Sequence, residues 1–280
     1  YITSRLVQGD VGCGKTIVAF LAMLTMVSNG YQAAIMAPTE VLASQHYEYF
    51  KAVLEPFGIS VEYLSGSMTK KLKTEAYERI NNGDSLVVVG THAAIQDNVS
   101  FKELALCVID EQHRFGVKQR EAISLKGENP HLLLMSATPI PRTYALMLYG
   151  DMDISVLEHL PANRKPIKNC VADESMREMI NRFILKEISL GHQAYVICPL
   201  VEESDKVTAA AVGTYVDELR ETLGGGIRIS ALHGKMKAAE KNEIMERFVK
   251  GEIQVLVSTT VIEVGINNPN ATLMIIENAE

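Results

Sequence analysis

No stretch of the sequence approaches the ~20 consecutive apolar residues that a membrane span requires, and, with a strand-like run at its start, no secretory leader is expected. The expectation is a cytoplasmic chain with no membrane partner. Cysteine is scarce: Cys13, Cys107, Cys170 and Cys198 lie far apart and form no C-x-x-C pair. That spacing argues against a zinc site and a disulfide framework, and it suits a reducing compartment. An excess of positive charge is missing too. Lysine and arginine number 27 against 34 acids, a formal net charge of -7, so the chain does not coat nucleic acid by charge alone. Any nucleic acid must sit in a local groove, held largely through backbone amides and hydroxyls. Short repeats and low-complexity tracts are lacking as well.

What is present has the balance of a globular protein, with 47% hydrophobic and 22% charged residues. The 280 residues suffice for two ordinary domains, each with its own core. The chain opens at once on a strand-like run, as an excised piece of a longer protein would.

One stretch organises the rest. Gly9-Asp10-Val11-Gly12-Cys13-Gly14-Lys15-Thr16 fits G-x-x-x-x-G-K-[ST], the phosphate-binding loop, at every fixed position. Ile2–Val7 reads as a strand before it. Ile17–Val27, apolar nearly all round, reads as a buried helix after it. The backbone of Gly9, Val11, Gly12, Cys13 and Gly14 is expected to curl round the phosphates of ATP, at a helix N-terminus that favours anions. Lys15 would reach the β- and γ-phosphates, and the Thr16 hydroxyl would hold Mg²⁺.

Strand-like and helix-like runs alternate up to about residue 155. Strands are expected at Ala33–Ala37, Ile59–Leu64, Leu86–Gly90, Leu106–Asp110 and Leu132–Met135. Helices are expected at Glu40–Leu54, Met68–Ile80, Val117–Leu125 and Arg142–Leu148. Unalternating apolar strands point to a parallel sheet covered on both faces. The polar, proline-bearing stretch 157–166 is the expected linker, between a first domain, 1–156, and a second, 167–280. In the second, strands are expected at Ile167–Val171, Gln193–Pro199, Ile227–Leu232, Gln254–Ser258 and Leu273–Glu277. Helices are expected at Ser175–Leu190, Asp205–Leu223 and Ala238–Lys250.

A phosphate loop needs a carboxylate on a neighbouring parallel strand to complete the Mg²⁺ shell. Leu106-Cys107-Val108-Ile109-Asp110-Glu111 supplies two acids after four apolar residues. Asp110 suits the metal, and Glu111 suits the orientation and activation of the attacking water. Lys15, Asp110 and Glu111 are therefore the candidate catalytic residues.

The run Asp110-Glu111-Gln112-His113-Arg114-Phe115-Gly116 resembles the DExH-type box of superfamily two helicases, and more narrowly that of the RecG-like branched-DNA translocases. Gln8-Gly9-Asp10-Val11-Gly12, Ala37-Pro38-Thr39-Glu40, Gly90-Thr91-His92-Ala93 and Met135-Ser136-Ala137-Thr138-Pro139-Ile140-Pro141-Arg142 agree with it. So do Leu232-His233-Gly234-Lys235-Met236, Thr259-Thr260-Val261-Ile262-Glu263-Val264-Gly265 and Ile276-Glu277-Asn278-Ala279-Glu280. The match runs along essentially the whole chain. It implies two tandem RecA-like α/β domains, each a mainly parallel sheet flanked by helices, with ATP and Mg²⁺ between them. It implies DNA-backbone contacts at Pro38, Thr39, Gly66, Ser67, Thr91, His92, Thr259 and Thr260. It also implies coupling of nucleotide to DNA through Gln112, His113, Ser136, Thr138, Glu263 and Gly265.

The implied function is an ATP-dependent helicase that remodels forks and Holliday junctions in repair and recombination, a monomeric motor with a possible single-strand-binding protein partner. Two other readings stand beside it: the translocase module of a transcription-repair coupling factor, and a nucleotide-gated binding module without motor activity. Two positions depart from the family. Asn267 stands where an Asp is usual, and Asn268 where an apolar residue is usual. The resemblance places an arginine-bearing segment beyond Glu280. Residues 1–280 alone are therefore expected to bind ATP–Mg²⁺ but to hydrolyse it poorly.

Overall fold

Strand β1 (Ser4–Gly9) lies second from one edge of the seven-stranded sheet of the first unit. The computed structural model describes residues 2–111, 125–138, 152–159, 166–198, 205–259 and 268–278, with backbone alone at 205–211, 238 and 239. These divide into two compact units, Tyr1–Pro166 and Ile167–Glu280.

In the first unit β2 (Gln32–Met36), β3 (Val61–Leu64), β4 (Val87–Gly90), β5 (Leu104–Ile109), β6 (His131–Ser136) and β7 (Asp153–Leu157) join β1 in the order β3-β4-β2-β5-β6-β1-β7. Every pairing is parallel. Successive side chains leave opposite faces of a strand, so alternate residues feed two cores. Leu6, Ala34, Met36, Val88, Cys107, Ile109 and Leu134 enter one. Val7, Ala33, Ile35, Val89, Val108 and Met135 enter the other. That is why these strands read as unbroken apolar runs.

Strand β7 escaped the sequence reading, which put Leu157 at the start of the linker. Its polar Asp153 and Ser155 interrupt the apolar pattern, and both are held by Arg5, at 3.0 Å and 2.7 Å. An edge strand covered on one side has no need of a continuous apolar run.

Helices α1 (Lys15–Ser28), α2 (Glu40–Leu54) and α3 (Lys70–Asn82) connect the strands. Helix α2 starts where the Thr39 hydroxyl accepts the Leu42 N–H at 3.3 Å, a side-chain cap for an orphan donor. Thr69 does the same for α3, which therefore begins two residues after the expected Met68. Gly83, left-handed at φ 83°, ends it. Helix α1 is not buried all round as expected. Ala19, Phe20, Met23 and Val27 pack inward, while Ile17 and Leu21 are 46% and 55% exposed. The expected helices at 117–125 and 142–148 lie outside the described residues, apart from Leu125.

The second unit has strands β8 (Gln193–Ile197), β9 (Ile229–Leu232), β10 (Val255–Ser258) and β11 (Ala271–Ile276), all parallel, in the order β11-β8-β10-β9. Helices α4 (Arg177–Ser189), α5 (Asp205–Leu223) and α6 (Ala238–Val249) accompany them. Ala194, Val196, Val255 and Val257 face one core; Tyr195, Leu232 and Leu256 face the other. The expected strand at Ile167–Val171 does not form. Those residues have no regular structure, and Ile167 and Val171 are 74% and 97% exposed. Lys168 and Asn169 interrupt the run, and it pairs with no strand among the described residues.

Candidate functional site

The glycine-rich loop joins the end of β1 to the start of α1. Gly14 is left-handed at φ 98°, a conformation that side chains disfavour. Gly9 is required for a different reason. A Cβ there would lie 2.5 Å from Cys13 Sγ and 3.0 Å from Leu157 Cβ, since β7 passes directly alongside. Lys15 is buried, and its Nζ donates to the carbonyls of Gly9 at 2.7 Å and Asp10 at 2.9 Å. The loop thus closes on its own lysine. Val11 and Gly12 are exposed, and Thr16 is half-buried in the first turn of α1.

Asp110 follows β5 directly, and its N–H continues the sheet by donating to Met36 O at 2.9 Å. Its side chain is held at both oxygens. Oδ1 accepts the Glu111 N–H at 2.9 Å, and Oδ2 lies 2.9 Å from His46 Nε2. Glu111 is left-handed at φ 48°, uncommon for a residue with a Cβ. Strand register fixes where these groups emerge. Ile109 pairs with Leu134, and Leu134 with Leu6. Asp110 and Gly9 therefore emerge at the same carboxyl edge, on strands two spacings or about 10 Å apart, Asp110 level with Val7 and Ser136 at the end of the strand between. Ser136 is buried, and its Oγ lies 3.0 Å from Thr138 Oγ1.

The residues assigned to DNA in the first unit also cluster. Pro38 and Thr39 follow β2, Gly66 and Ser67 follow β3, and Thr91 and His92 follow β4, three adjacent strands at one end of the sheet. Their groups are partly committed within the protein. The Glu40 carboxylate accepts from Ser67 N at 2.9 Å and Ser67 Oγ at 2.8 Å, and Lys73 Nζ donates to Gly66 O at 2.8 Å. Thr91 is buried and His92 exposed. In the second unit Thr259 follows β10, its hydroxyl enclosed with no hydrogen-bond partner; His233 Nδ1, after β9, is the other such atom among the described residues. Gln112, His113, Thr260, Glu263, Gly265 and Asn267 lie outside the described residues.

Sequence reasoning missed His46 and left Glu40 without a role. No spacing rule ties a histidine inside α2 to an acid 64 residues away. Of the cysteines, Cys107 is buried inside the sheet, which pushes its thiol up to about 12, so it is inert near neutral pH. No helix among the described residues is long and apolar enough to cross a membrane.

A phosphate loop and an acid-tipped strand on one edge of a parallel sheet define a P-loop nucleotide-binding domain, here with a second parallel α/β unit behind it in sequence. The chain belongs to the DEAD/DEAH box helicase family, whose model matches residues 3–147, and the helicase conserved C-terminal domain matches 175–280. It is similar along its whole length to ATP-dependent DNA helicases RecG. It is 45% identical to that of Bacillus subtilis (strain 168) over 280 residues, covering 100% of this chain and 41% of the relative. It is 50% identical to that of Aquifex aeolicus over 278 residues, covering 99% and 35%. A structure of RecG bound to a three-way DNA junction superposes with a TM-score of 0.80 at 38% identity, covering 98% of this chain and 35% of that one. S. cerevisiae Dbp5 bound to RNA and ADP BeF3 shares the fold at 21% identity and a TM-score of 0.65, covering 97% of this chain and 69% of that one. The chain thus spans well under half the length of the curated relatives named here.

Proposed function

We propose that this chain is the ATP-driven motor core of a branched-DNA translocase that remodels forks and Holliday junctions in repair and recombination. The observation that carries the reading is the shared sheet edge on which Gly9–Thr16 and Asp110–Glu111 emerge. It is supported by relatives named RecG over the full length of the chain. The coupling-factor and binding-module readings are not favoured by those relatives.

In this reading the loop amides of Gly9 to Gly14 receive the phosphates. Lys15 exchanges its two loop carbonyls for phosphate oxygens, and Glu111 orients the attacking water. Thr16 and Asp110 offer oxygen donors of the type Mg²⁺ prefers, and P-loop sites hold that ion by few protein ligands plus phosphates and water. Bound magnesium would neutralise charge on the phosphates. Pro38, Thr39, Gly66, Ser67, Thr91, His92, Thr259 and Thr260 would track the DNA backbone. Gln112, His113, Ser136, Thr138, Glu263 and Gly265 would couple it to the nucleotide. The working protein would be a monomer in the bacterial cytoplasm at the nucleoid, with a single-strand-binding protein as partner.

The test is fluorescence titration of ATP–Mg²⁺ binding with forked, linear and no DNA. Linkage requires a motor's nucleotide and DNA to alter each other's affinity by the same factor. Forked DNA is expected to tighten nucleotide binding more than linear DNA does. Nucleotide affinity indifferent to both would overturn the motor in favour of a binding module.

A further inference from the structure

Asp110 has an unusual companion. His46, in the second turn of α2, places Nε2 2.9 Å from Asp110 Oδ2, and both side chains are almost wholly enclosed, at 10% and 12% exposure. The histidine is itself held in place. Its ring lies near-parallel to that of Phe50, with centroids 6.1 Å apart and planes 22° from parallel. Phe50 in turn is buried in the core beneath the sheet, among Phe20, Val87 and Val89. A carboxylate accepts and does not donate, so Nε2 carries the hydrogen toward Oδ2.

The second oxygen is fixed independently by the Glu111 N–H. Two donors on two different oxygens leave the carboxylate one orientation, and each oxygen keeps a lone pair for an outside ligand. Outer partners of this kind orient the groups that hold a metal.

We infer that His46 is a positioning residue for the nucleotide-bound divalent cation. Through a hydrogen bond to Asp110 it presets the carboxylate, so that cation binding need not freeze it. This rests on the reading of Asp110 as a cation ligand. A purely structural bond would stabilise the fold without altering cation affinity. A positioning bond alters cation affinity and spares metal-free nucleotide binding.

The experiment uses Mn²⁺ with ADP as the probe. Cation affinity is read by electron paramagnetic resonance titration, metal-free ADP affinity by fluorescence in EDTA, and folding by melting temperature. His46→Leu removes the donor and is expected to weaken Mn²⁺ binding by about 10- to 100-fold, the usual effect of losing such a partner. Metal-free ADP affinity should stay unchanged. His46→Gln, whose amide nitrogen reaches the place of Nε2, is expected to restore Mn²⁺ binding. His46→Asn, with an amide too short to reach, should behave as the leucine variant does. Should His46→Leu fail to fold, the glutamine and asparagine pair decides by itself. Wild-type Mn²⁺ affinity in His46→Asn, or equal loss in the glutamine and asparagine variants, would overturn the proposal. A parallel fall in metal-free ADP affinity and melting temperature would overturn it too, in favour of a structural role. Asp110→Asn separates the two layers. Unchanged Mn²⁺ affinity there refutes the metal reading of Asp110. Loss there with none in the His46 variants refutes only the positioning role.

Discussion

Gln32 and Gln193 occupy equivalent places in the two units. Each opens a strand, β2 or β8, that pairs with the strand following a helix, and each is buried. The Nε2 of Gln32 donates to Ile80 O in the last turn of α3 and to Ser85 O ahead of β4, both at 2.8 Å. The Nε2 of Gln193 donates to Phe248 O in the last turn of α6 and to Ile253 O ahead of β10, both at 2.6 Å. The acceptor sides differ. Gln32 Oε1 takes the N–H groups of Lys102 and Glu103, whereas Gln193 Oε1 takes Asn268 Nδ2 at 3.2 Å. Asn268 therefore completes this amide.

Replacing Gln32 with Leu would take the side-chain partner from Ser85 O and from the Lys102 and Glu103 N–H groups, while Ile80 O would keep the Gly83 N–H at 3.1 Å, and an unpaired buried polar group is costly. The expected loss is about 3 kcal/mol in urea unfolding, with a smaller loss for Gln193→Leu, whose amide oxygen takes one side-chain donor in place of two main-chain N–H groups. A loss below about 1 kcal/mol for Gln32→Leu would show that water replaces the amide.

Gly9→Ala puts a methyl against Cys13 Sγ at 2.5 Å and the Leu157 carbonyl at 3.1 Å. Overpacking of this size costs about 2 kcal/mol. The thiol can be removed and the carbonyl cannot. Gly9→Ala with Cys13→Ala should therefore recover part of the lost melting temperature, never all of it. Full recovery would mean that β7 does not press on the loop.

Lys15→Ala removes a cation whose Nζ rests on two carbonyls and, in the proposed function, moves to phosphate. A hydrogen bond to a charged group contributes about 1.5–3 kcal/mol, so nucleotide affinity should fall roughly 10- to 100-fold in a fluorescence titration. The unliganded fold should stay intact by circular dichroism. Lys15→Arg should not rescue, because a planar fork cannot replace a compact ammonium in so closed a loop. Unaltered affinity in Lys15→Ala would count against the loop as the phosphate site.

Acid should loosen the second unit through Glu277. Arg177 grips its carboxylate at 2.6 Å and 2.9 Å, Tyr215 donates at 2.6 Å, and these bonds hold the carboxyl below its ordinary 4.5. A depressed carboxyl binds fewer protons folded than unfolded. Its stabilisation is present above the ordinary value and disappears as pH falls through the lower, folded one. Melting temperature should drop with acid in the wild type and drop less steeply in Glu277→Gln. Parallel acid profiles for the two proteins would remove Glu277 as the cause.

Much of this was legible along the chain because the deciding signals are local. A glycine-rich loop between strand and helix, and four apolar residues ending in two acids, each act within a few residues of themselves. Helix α2 runs over Glu40–Leu54 as its pattern dictates, and α5 over Asp205–Leu223 likewise. Other features depend on distant partners. Strand β7 pairs with β1 along Arg5–Gly9, whereas Ile167–Val171 pairs with no strand among the described residues. Gly9 is confined by Leu157, and Asp110 is oriented by His46, both far away in sequence. The sequence by itself determined the parallel α/β grammar, the phosphate loop and the acids. Only the tertiary structure decided which edge strand joined, which histidine met Asp110 and what filled the space at Gly9, because contacts across sheets and helices leave no periodic trace in the chain that makes them.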